Sequence, residues 1–288
     1  MKTKIDNYNI HTLNSKNFGD GVNKLFWRYI TNREIVSDRN EQHYITTGSI
    51  MCLVNNNSII FGTGFISKDA DIGGENFRSK SNKKYAIPRD IITVRGPLSR
   101  AKMLNFNIKC PENYGDPLIL MPCIYNKCLT IKNNIVGIIP HYIDKKNKNS
   151  EILKKNLENS GYTVIFIDIE IGNNYEKLIN NINSCKYIIS SSLHGVIMGI
   201  IYKKQTIFVE FSDNVVGNTF KFQDFFQSIN INYKNINKYT TDILNNIIKV
   251  DYSYLKKIGT ILISLIPFID NERKKVLTNK YENFYNDN

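Results

Sequence analysis

The most informative run of this chain is Lys186-Tyr187-Ile188-Ile189-Ser190-Ser191-Ser192-Leu193-His194-Gly195-Val196-Ile197-Met198-Gly199-Ile200-Ile201. Its apolar start predicts a buried strand and residues 196–201 predict a packed helix, so His194 lies where a strand turns into a helix. In α/β folds this position is at the carboxyl end of the sheet, where ligands bind. The helix N-terminus offers free N–H groups and partial positive charge to an anion, and His194 adds a proton donor or a cation there.

Strand-like and helix-like segments alternate along the chain. Strands are predicted at 44–47, 58–61, 91–94, 135–139, 162–167, 186–189 and 206–210, and helices at 22–30, 97–106, 150–160, 175–182 and 196–201. Asp20 is a candidate N-cap of the first helix. This alternation predicts parallel sheets covered on both faces. A polar stretch at 126–134 separates two such units, so we expect two Rossmann-like domains, 1–132 and 133–288, facing a cleft.

The charge of the chain is strongly positive. Lysine and arginine number 38 against 26 aspartate and glutamate residues, which gives a formal net charge of +12. Such a surface is either simply solvated or suited to an anionic substrate or anionic lipid headgroups. A nucleic-acid partner is not expected, because no basic stripe with interleaved aromatic residues is present.

Cysteine usage and hydropathy indicate a cytoplasmic protein. The five cysteines, Cys52, Cys110, Cys123, Cys128 and Cys185, form no CxxC pair, which favours free thiols in a reducing compartment. The first residues show no apolar core of a signal peptide. The longest apolar stretch, 258–269, is too short to span a bilayer. It indicates either a core helix or a helix at a membrane interface.

Four residues at predicted strand ends or turns could carry chemistry. Arg95, His141 and His194 each follow a strand, and Asp116 stands in the turn Gly115-Asp116-Pro117. The guanidinium of arginine binds a carboxylate or phosphate through two hydrogen bonds, although an ordinary salt bridge is equally compatible with Arg95 alone. Asp116 could cap a helix, orient a neighbour or merely make a tight turn. Gly62-Thr63-Gly64 is only a fragment of a phosphate-loop pattern.

The motifs taken together are more specific than any of them alone. They occur in the order Asn17-Phe18-Gly19-Asp20, Gly62-Thr63-Gly64, Val94-Arg95-Gly96-Pro97-Leu98-Ser99, Gly115-Asp116-Pro117, Ser190-Ser191-Ser192-Leu193-His194-Gly195 and Gly217-Asn218-Thr219-Phe220-Lys221-Phe222-Gln223-Asp224-Phe225-Phe226. This set resembles the polysaccharide pyruvyltransferase family, especially its bacterial exopolysaccharide and capsule branch. The resemblance runs from about residue 10 to about residue 230.

The resemblance implies a fold like that of the GT-B glycosyltransferases, with the active site between two Rossmann-like domains. The N-terminal domain would face the acceptor and the C-terminal domain the donor. The implied reaction moves the carboxyvinyl unit of phosphoenolpyruvate onto two hydroxyls of a sugar, giving a cyclic pyruvate ketal and phosphate. It implies no metal and no cofactor other than phosphoenolpyruvate as donor, and an acceptor that is lipid-linked would bring the enzyme to the inner face of the membrane.

The resemblance implies that Arg95 and His194 are functional residues at the donor site, and the chemistry of the reaction leads to a hypothesis for each role. His194 would be the general acid or the cation that assists phosphate departure, and Arg95 would hold the carboxylate or phosphate. His141 and Asp20 would face the acceptor sugar as base or orienting groups. Further substrate-binding residues expected on this basis are Asn17, Gly64, Ser191, Ser192, Leu193 and Lys221.

One position departs from the family pattern. Many members have arginine two residues before the histidine, where this chain has Ser192. Another basic residue, Arg89, Arg100 or Lys221, or the backbone N–H groups would then hold the anion. Two alternatives remain open on these residues: a nucleotide-sugar glycosyltransferase of the same fold, and a non-catalytic protein that binds a sugar or an anion.

Overall fold

The first half of the chain forms a parallel sheet at its centre. In a computed structural model, the described residues are 8–73, 85–127, 134–172, 174–217, 219–233, 236 and 238–286. The strands are β1 (Tyr8–Asn9), β2 (Ile35–Val36), β3 (His43–Ile45), β4 (Ser58–Phe61) and β5 (Asp90–Thr93). β1 pairs with β2 and β4 pairs with β3 and β5, all in parallel, and a bridge from Ile10 to Tyr44 joins the two sets. The spatial order is therefore β2-β1-β3-β4-β5.

The second half contains a four-stranded parallel sheet. Its strands are β6 (Ile135–Ile139), β7 (Thr163–Phe166), β8 (Tyr187–Ser190) and β9 (Gln205–Phe208), in the order β7-β6-β8-β9. The described helices are α1 (Phe18–Gly21), α2 (Asn23–Thr31), α3 (Pro97–Asn105), α4 (Lys148–Asn159), α5 (Tyr175–Asn183), α6 (Leu193–Ile201), α7 (Phe220–Ser228), α8 (Tyr252–Leu265) and α9 (Asn271–Asn286). Helix α6 is apolar on all sides and every one of its residues is buried, as expected of a helix enclosed by the fold.

The order of the strands predicts where a ligand would bind. In the second sheet the chain leaves β6, forms β7 on one side and returns to form β8 on the other, so the order reverses between β6 and β8. The first sheet reverses in the same way between β1 and β3. Ligands of open α/β sheets bind outside the carboxyl ends of the strands at such a reversal. Residues that follow each of these four strands line one cavity, so the segments after the strands meet.

The largest apolar cluster joins the two halves, and each half has a smaller cluster of its own. The largest cluster of buried side chains includes Trp27 and Phe61 from the first half and Phe208 and Leu262 from the second. The C-terminal helix α9 strengthens this junction, since Arg273 donates from Nε to the Ile30 carbonyl at 2.9 Å. The architecture is α/β with parallel sheets, as the sequence predicted, and is consistent with a Rossmann-like, GT-B-like arrangement. The expected boundary at 132/133 adjoins residues 128–133, which lie outside the described residues.

Several local expectations are corrected or confirmed. The helix at 22–30 is preceded by the short helix α1, whose N-cap is Asn17 rather than Asp20, because the Asn17 side chain accepts from the Gly19 N–H. Strands β1 and β2 were not predicted, since two-residue strands carry no periodic signal. The segment 258–269 contains the end of core helix α8, with Ile258, Leu262 and Ile263 buried.

The described residues also bear on the predictions about membrane crossing and about the cysteines. No described helix has the length and apolarity needed to cross a bilayer. Cys52, Cys110, Cys123 and Cys185 are buried free thiols, and burial raises the pKa of each to about 11 or 12. Cys128 lies outside the described residues.

Candidate functional site

A cavity of about 470 Å³ lies where the segments following β1, β3, β6 and β8 meet. The first half contributes Leu13, Asn14, Ser15, Asn17, Asp20, Ser49, Ile50 and Ile66; the second half contributes His141, Tyr142, Ser192, Leu193, His194, Val216 and Lys221. Both halves therefore form the walls, as expected of a cleft at two topological reversals. Its size lies within the range of small-molecule sites.

The N-terminus of α6 opens into this cavity. Ser192 is the N-cap in extended conformation, and its side chain makes no capping hydrogen bond. The N–H groups of Leu193, His194 and Gly195 have no acceptor among the described residues. The turn itself is fixed by Ser190, whose Oγ accepts from the Ser192 N–H at 3.0 Å and donates to the Ile139 carbonyl at 2.9 Å. A rigid helix end with free N–H groups and positive potential is suited to an anion.

His194 lies between this helix end and a buried carboxylate. Its Nε2 is 3.7 Å from Oδ2 of Asp116, which is fully buried at the start of the 3₁₀ turn Pro117–Cys123. Oδ1 of the same carboxylate accepts from the Leu118 N–H at 3.0 Å and caps that turn. On the other side the imidazole rests against Gly19, and a Cβ at that position would overlap Nδ1 and its neighbouring ring carbon. Gly19 therefore makes the position of the ring possible.

Three further ionisable side chains line the cavity. Burial lowers the pKa of Lys221 to about 8, with Arg95 lowering it further and Asp20 opposing the change. Burial raises the pKa of Asp20, although His194 and Lys221 act in the other direction. Burial also lowers the pKa of His141 to about 3, and Lys221 and His194 add to the effect. At neutral pH the cavity therefore holds a cation at Lys221, an uncharged His141 and a carboxyl more basic than usual.

Arg95 lies behind the cavity wall and not in it. The guanidinium is fully buried, and its Nε donates to Oδ2 of Asp224 in α7 at 3.0 Å. Nη1 donates to Ser49 Oγ and Nη2 to the Phe65 carbonyl, each at 2.6 Å. The same carboxylate accepts from the backbone N–H and the Oγ of Ser99 at 2.8 and 2.6 Å. The segment that begins at Arg95 is therefore hydrogen-bonded to α7 of the second half through Asp224. Arg95 was expected to bind the donor substrate, whereas its guanidinium donates to three protein groups.

The other predicted site residues divide into two groups. Asn17, Asp20, His141, Ser192, Leu193, His194 and Lys221 all line the cavity. Gly64 is buried under the Arg95 side chain, where a Cβ would come within 2.6 Å of the guanidinium. Ser191 is buried as well, with its Oγ accepting from the His141 N–H at 2.8 Å and donating to Asp144 at 3.3 Å. These two residues support the walls without lining them.

Of the three basic residues considered for binding an anion, Lys221 is the one that lines the cavity. Arg100 instead pairs with Glu112 at 3.0 Å on the surface, and Arg89 is exposed outside the cavity. The Lys221 ammonium lies over the Phe222 ring, 5.6 Å from its centroid, and no carboxylate among the described residues forms an ion pair with it. A buried cation without an ion-pair partner is suited to a ligand that supplies the negative charge.

Sequence reasoning missed several residues of the site. Ser15, Ser49 and Ile66 lie in irregular segments whose composition carries no chemical signal. Tyr142 is the residue after His141, and the two rings lie against each other with centroids 4.3 Å apart and planes tilted by 34°. Its adjacency to a predicted strand end was the available clue. Among the described residues no three His, Cys, Asp or Glu side chains are grouped so as to hold a metal ion.

Comparisons with known proteins show the family of the chain. The family model of polysaccharide pyruvyl transferase matches residues 16–213, more than half of the chain. The chain belongs to the polysaccharide pyruvyl transferase family, and thus to a family of transferases. It is also 28% identical over 249 residues to an uncharacterized protein of Acanthamoeba polyphaga mimivirus, a match that covers 82% of this chain and 79% of that protein. No solved structure gives a significant match.

Proposed function

We propose that this protein transfers the enolpyruvyl unit of phosphoenolpyruvate onto two hydroxyls of a sugar in a bacterial surface polysaccharide or its precursor, with formation of a cyclic pyruvate ketal and release of phosphate. The observation that supports the proposal is one cavity that is lined by the free N-terminus of α6, by His194 and by Lys221, which has no ion-pair partner among the described residues. Phosphoenolpyruvate carries a carboxylate and a phosphate, and this wall offers a matching donor to each.

The chemistry needs one acid and one base near neutral pH. His194 would protonate the methylene carbon of the donor, which leaves an oxocarbenium-like centre at the adjacent carbon. A sugar hydroxyl attacks that carbon and loses its proton, phosphate then departs, and the second hydroxyl closes the ring. One hydroxyl proton replaces the one that His194 gave, and the other leaves with phosphate, so the reaction balances without an oxidant or reductant.

The remaining cavity residues would serve binding. Lys221 and the α6 N-terminus would hold the two anionic groups of the donor, with Ser192 leaving space for them where many relatives have arginine. Asp20 and His141 would face the acceptor hydroxyls, since burial makes the first a better base than usual and keeps the second neutral. Asn17 and Leu193 would complete the walls. In this assignment Arg95 acts through the fold, because its three partners are protein groups.

The reaction also gives an expected location. Phosphoenolpyruvate is a cytoplasmic metabolite, and a lipid-linked acceptor would bring the enzyme to the anionic inner face of the membrane, where a net charge of +12 is favourable. Flotation with vesicles containing phosphatidylglycerol at low and high salt tests this location. No binding at low salt would contradict it.

The reaction itself is tested by phosphate release from phosphoenolpyruvate with a panel of β-linked hexose and N-acetylhexosamine acceptors. Mass spectrometry should detect an acceptor that has gained a pyruvate ketal. His194→Gln should lose the product while keeping donor affinity, because Lys221 and the helix end remain. Turnover of a sugar nucleotide without any use of phosphoenolpyruvate would refute the proposal and indicate a glycosyltransferase instead.

A further inference from the structure

Two buried polar atoms face each other beside the cavity, and neither has a hydrogen-bond partner among the described residues. They are Nε2 of His194 and Oδ2 of Asp116, 3.7 Å apart. Burying a carboxylate oxygen without a partner is costly, so the arrangement calls for a compensating group. A proton on Nε2 supplies it, because it converts the two unpaired atoms into a charge-assisted pair. A contact of this length is common in ligand-free sites and tightens when substrate binds.

We propose that Asp116 is a positioning residue that keeps a proton on Nε2 of His194 throughout the reaction, so that Nδ1 exchanges protons with the substrate. The inference rests on the proposed function for the reaction that it serves. Asp116 itself does not touch the substrate: its side chain is fully buried and is not part of the cavity lining. Its position is fixed by the cap that Oδ1 forms with Leu118.

The contact between Asp116 and Nε2 of His194 would let Nδ1 of His194 both donate and accept a proton. In the charged ring, Nδ1–H donates to the methylene carbon of the donor while Nε2–H stays with Asp116. The neutral ring that results keeps Nε2–H and presents a lone pair on Nδ1, which accepts the proton of the first attacking hydroxyl. The ring returns to its charged form, and the proton of the second hydroxyl leaves with phosphate.

The other charged groups around His194 come from three elements. Asp20 in α1 interacts electrostatically with His194, and Lys221 in α7 lines the same cavity. His141, after β6, is neutral near pH 7 and adds little charge. Asp20 lines the cavity and is free to interact with substrate, whereas Asp116 is enclosed by protein. Asp116 is therefore the group that can hold the ring proton at every stage of the reaction.

Asp116→Asn is the decisive variant. It retains an oxygen to cap the turn at Leu118 but presents an amide N–H to Nε2, which would then have to accept. We expect kcat to fall by about 10²-fold or more with little change in the KM for phosphoenolpyruvate, and the alkaline limb of the kcat profile to move to lower pH. Asp251→Asn is the matched control, because Asp251 caps α8 in the same way at an exposed position. Thermal melting verifies that both variants fold.

A double variant and a spectrum separate positioning from general damage. In a His194→Gln background, Asp116→Asn should cause no further loss, whereas a structural role would add a second loss. Long-range ¹H–¹⁵N spectra of the four histidines report which ring nitrogen is protonated, and His194→Gln identifies the relevant signals. The wild type should show a protonated Nε2 that the Asn variant loses.

The outcomes distinguish this inference from the proposed function. If phosphoenolpyruvate is not turned over but the spectra change as expected, the reaction is wrong and the pair stands. If turnover occurs and Asp116→Asn changes neither the pH profile nor the ring signals, the reaction stands and the pair is refuted.

Discussion

Arg95→Met should destabilise the whole protein, because it breaks a fully buried ion pair between the two halves. Methionine fills much of the space of the arginine stem, so the main effect is the loss of charge. Asp224 would then remain fully buried with Ser99 as its one remaining hydrogen-bond partner among the described residues. Removing one partner of a buried pair costs about 3–5 kcal/mol. For a chain of 288 residues that corresponds to a fall in Tm of about 5–8 °C.

Urea denaturation followed by tryptophan fluorescence measures this loss, since Trp27 is buried in the shared core. Arg100→Met is the matched control, because the Arg100–Glu112 pair is partly exposed and such pairs contribute about 0–1 kcal/mol. Arg95→Met with Asp224→Leu should recover part of the loss, since no charge is left unpaired. An Arg95→Met variant with unchanged stability and no affinity for phosphoenolpyruvate would refute this reasoning and make Arg95 a donor ligand.

The remaining predictions concern the cavity and its ionisable groups. Gly19→Ala should lower kcat by at least about tenfold in a steady-state phosphate-release assay, because the added methyl displaces His194; normal turnover would contradict the described ring position. Lys221→Met should weaken binding of phosphoenolpyruvate about 10–100-fold by calorimetry. Wild-type affinity should fall as pH rises through about 8, where Lys221 loses its charge, and a pH-independent affinity would argue against this contact. Burial lowers the pKa of His11 to about 4 and of His141 to about 3, so both rings bind protons more readily in the unfolded chain. Their contribution to stability is complete above pH 6.5 and is lost as pH falls toward about 4 for His11 and about 3 for His141. Urea midpoints that are equal at pH 7.5 and 5 would contradict it.

Much of the fold could be predicted because it depends on local patterns. Apolar runs bounded by turns located β4, β6, β7 and β8, and the change from period 2 to period 3.6 located the helices between them. The two short strands β1 and β2 escaped prediction, since they are defined by pairing with each other rather than by composition. They nevertheless complete the strand reversal that forms half of the cavity.

The sequence predicted those site residues whose positions depend on neighbouring residues in the chain, and it missed those whose positions depend on distant ones. His141 and His194 follow predicted strands, and strand ends meet at one edge of a parallel sheet, so their convergence could be expected. Arg95 also follows a strand, yet its side chain turns into the protein. Its partner Asp224 is 129 residues away in sequence, and no pattern within the Arg95 segment indicates that distant carboxylate.

The amino-acid sequence alone established the α/β class, the family motifs and the helix N-terminus at His194, because hydrophobic periodicity and turn chemistry act over a few residues. Packing over long sequence separations settled which of those residues face the cavity. It buried Arg95 against Asp224, exposed Lys221 to the cavity from one turn earlier on the same helix, and set Asp116 beside His194. The physical reason is that burial and charge pairing depend on which segments, distant in sequence, pack against each other. Two segments with similar local patterns can therefore differ, one facing the cavity and the other buried behind its lining.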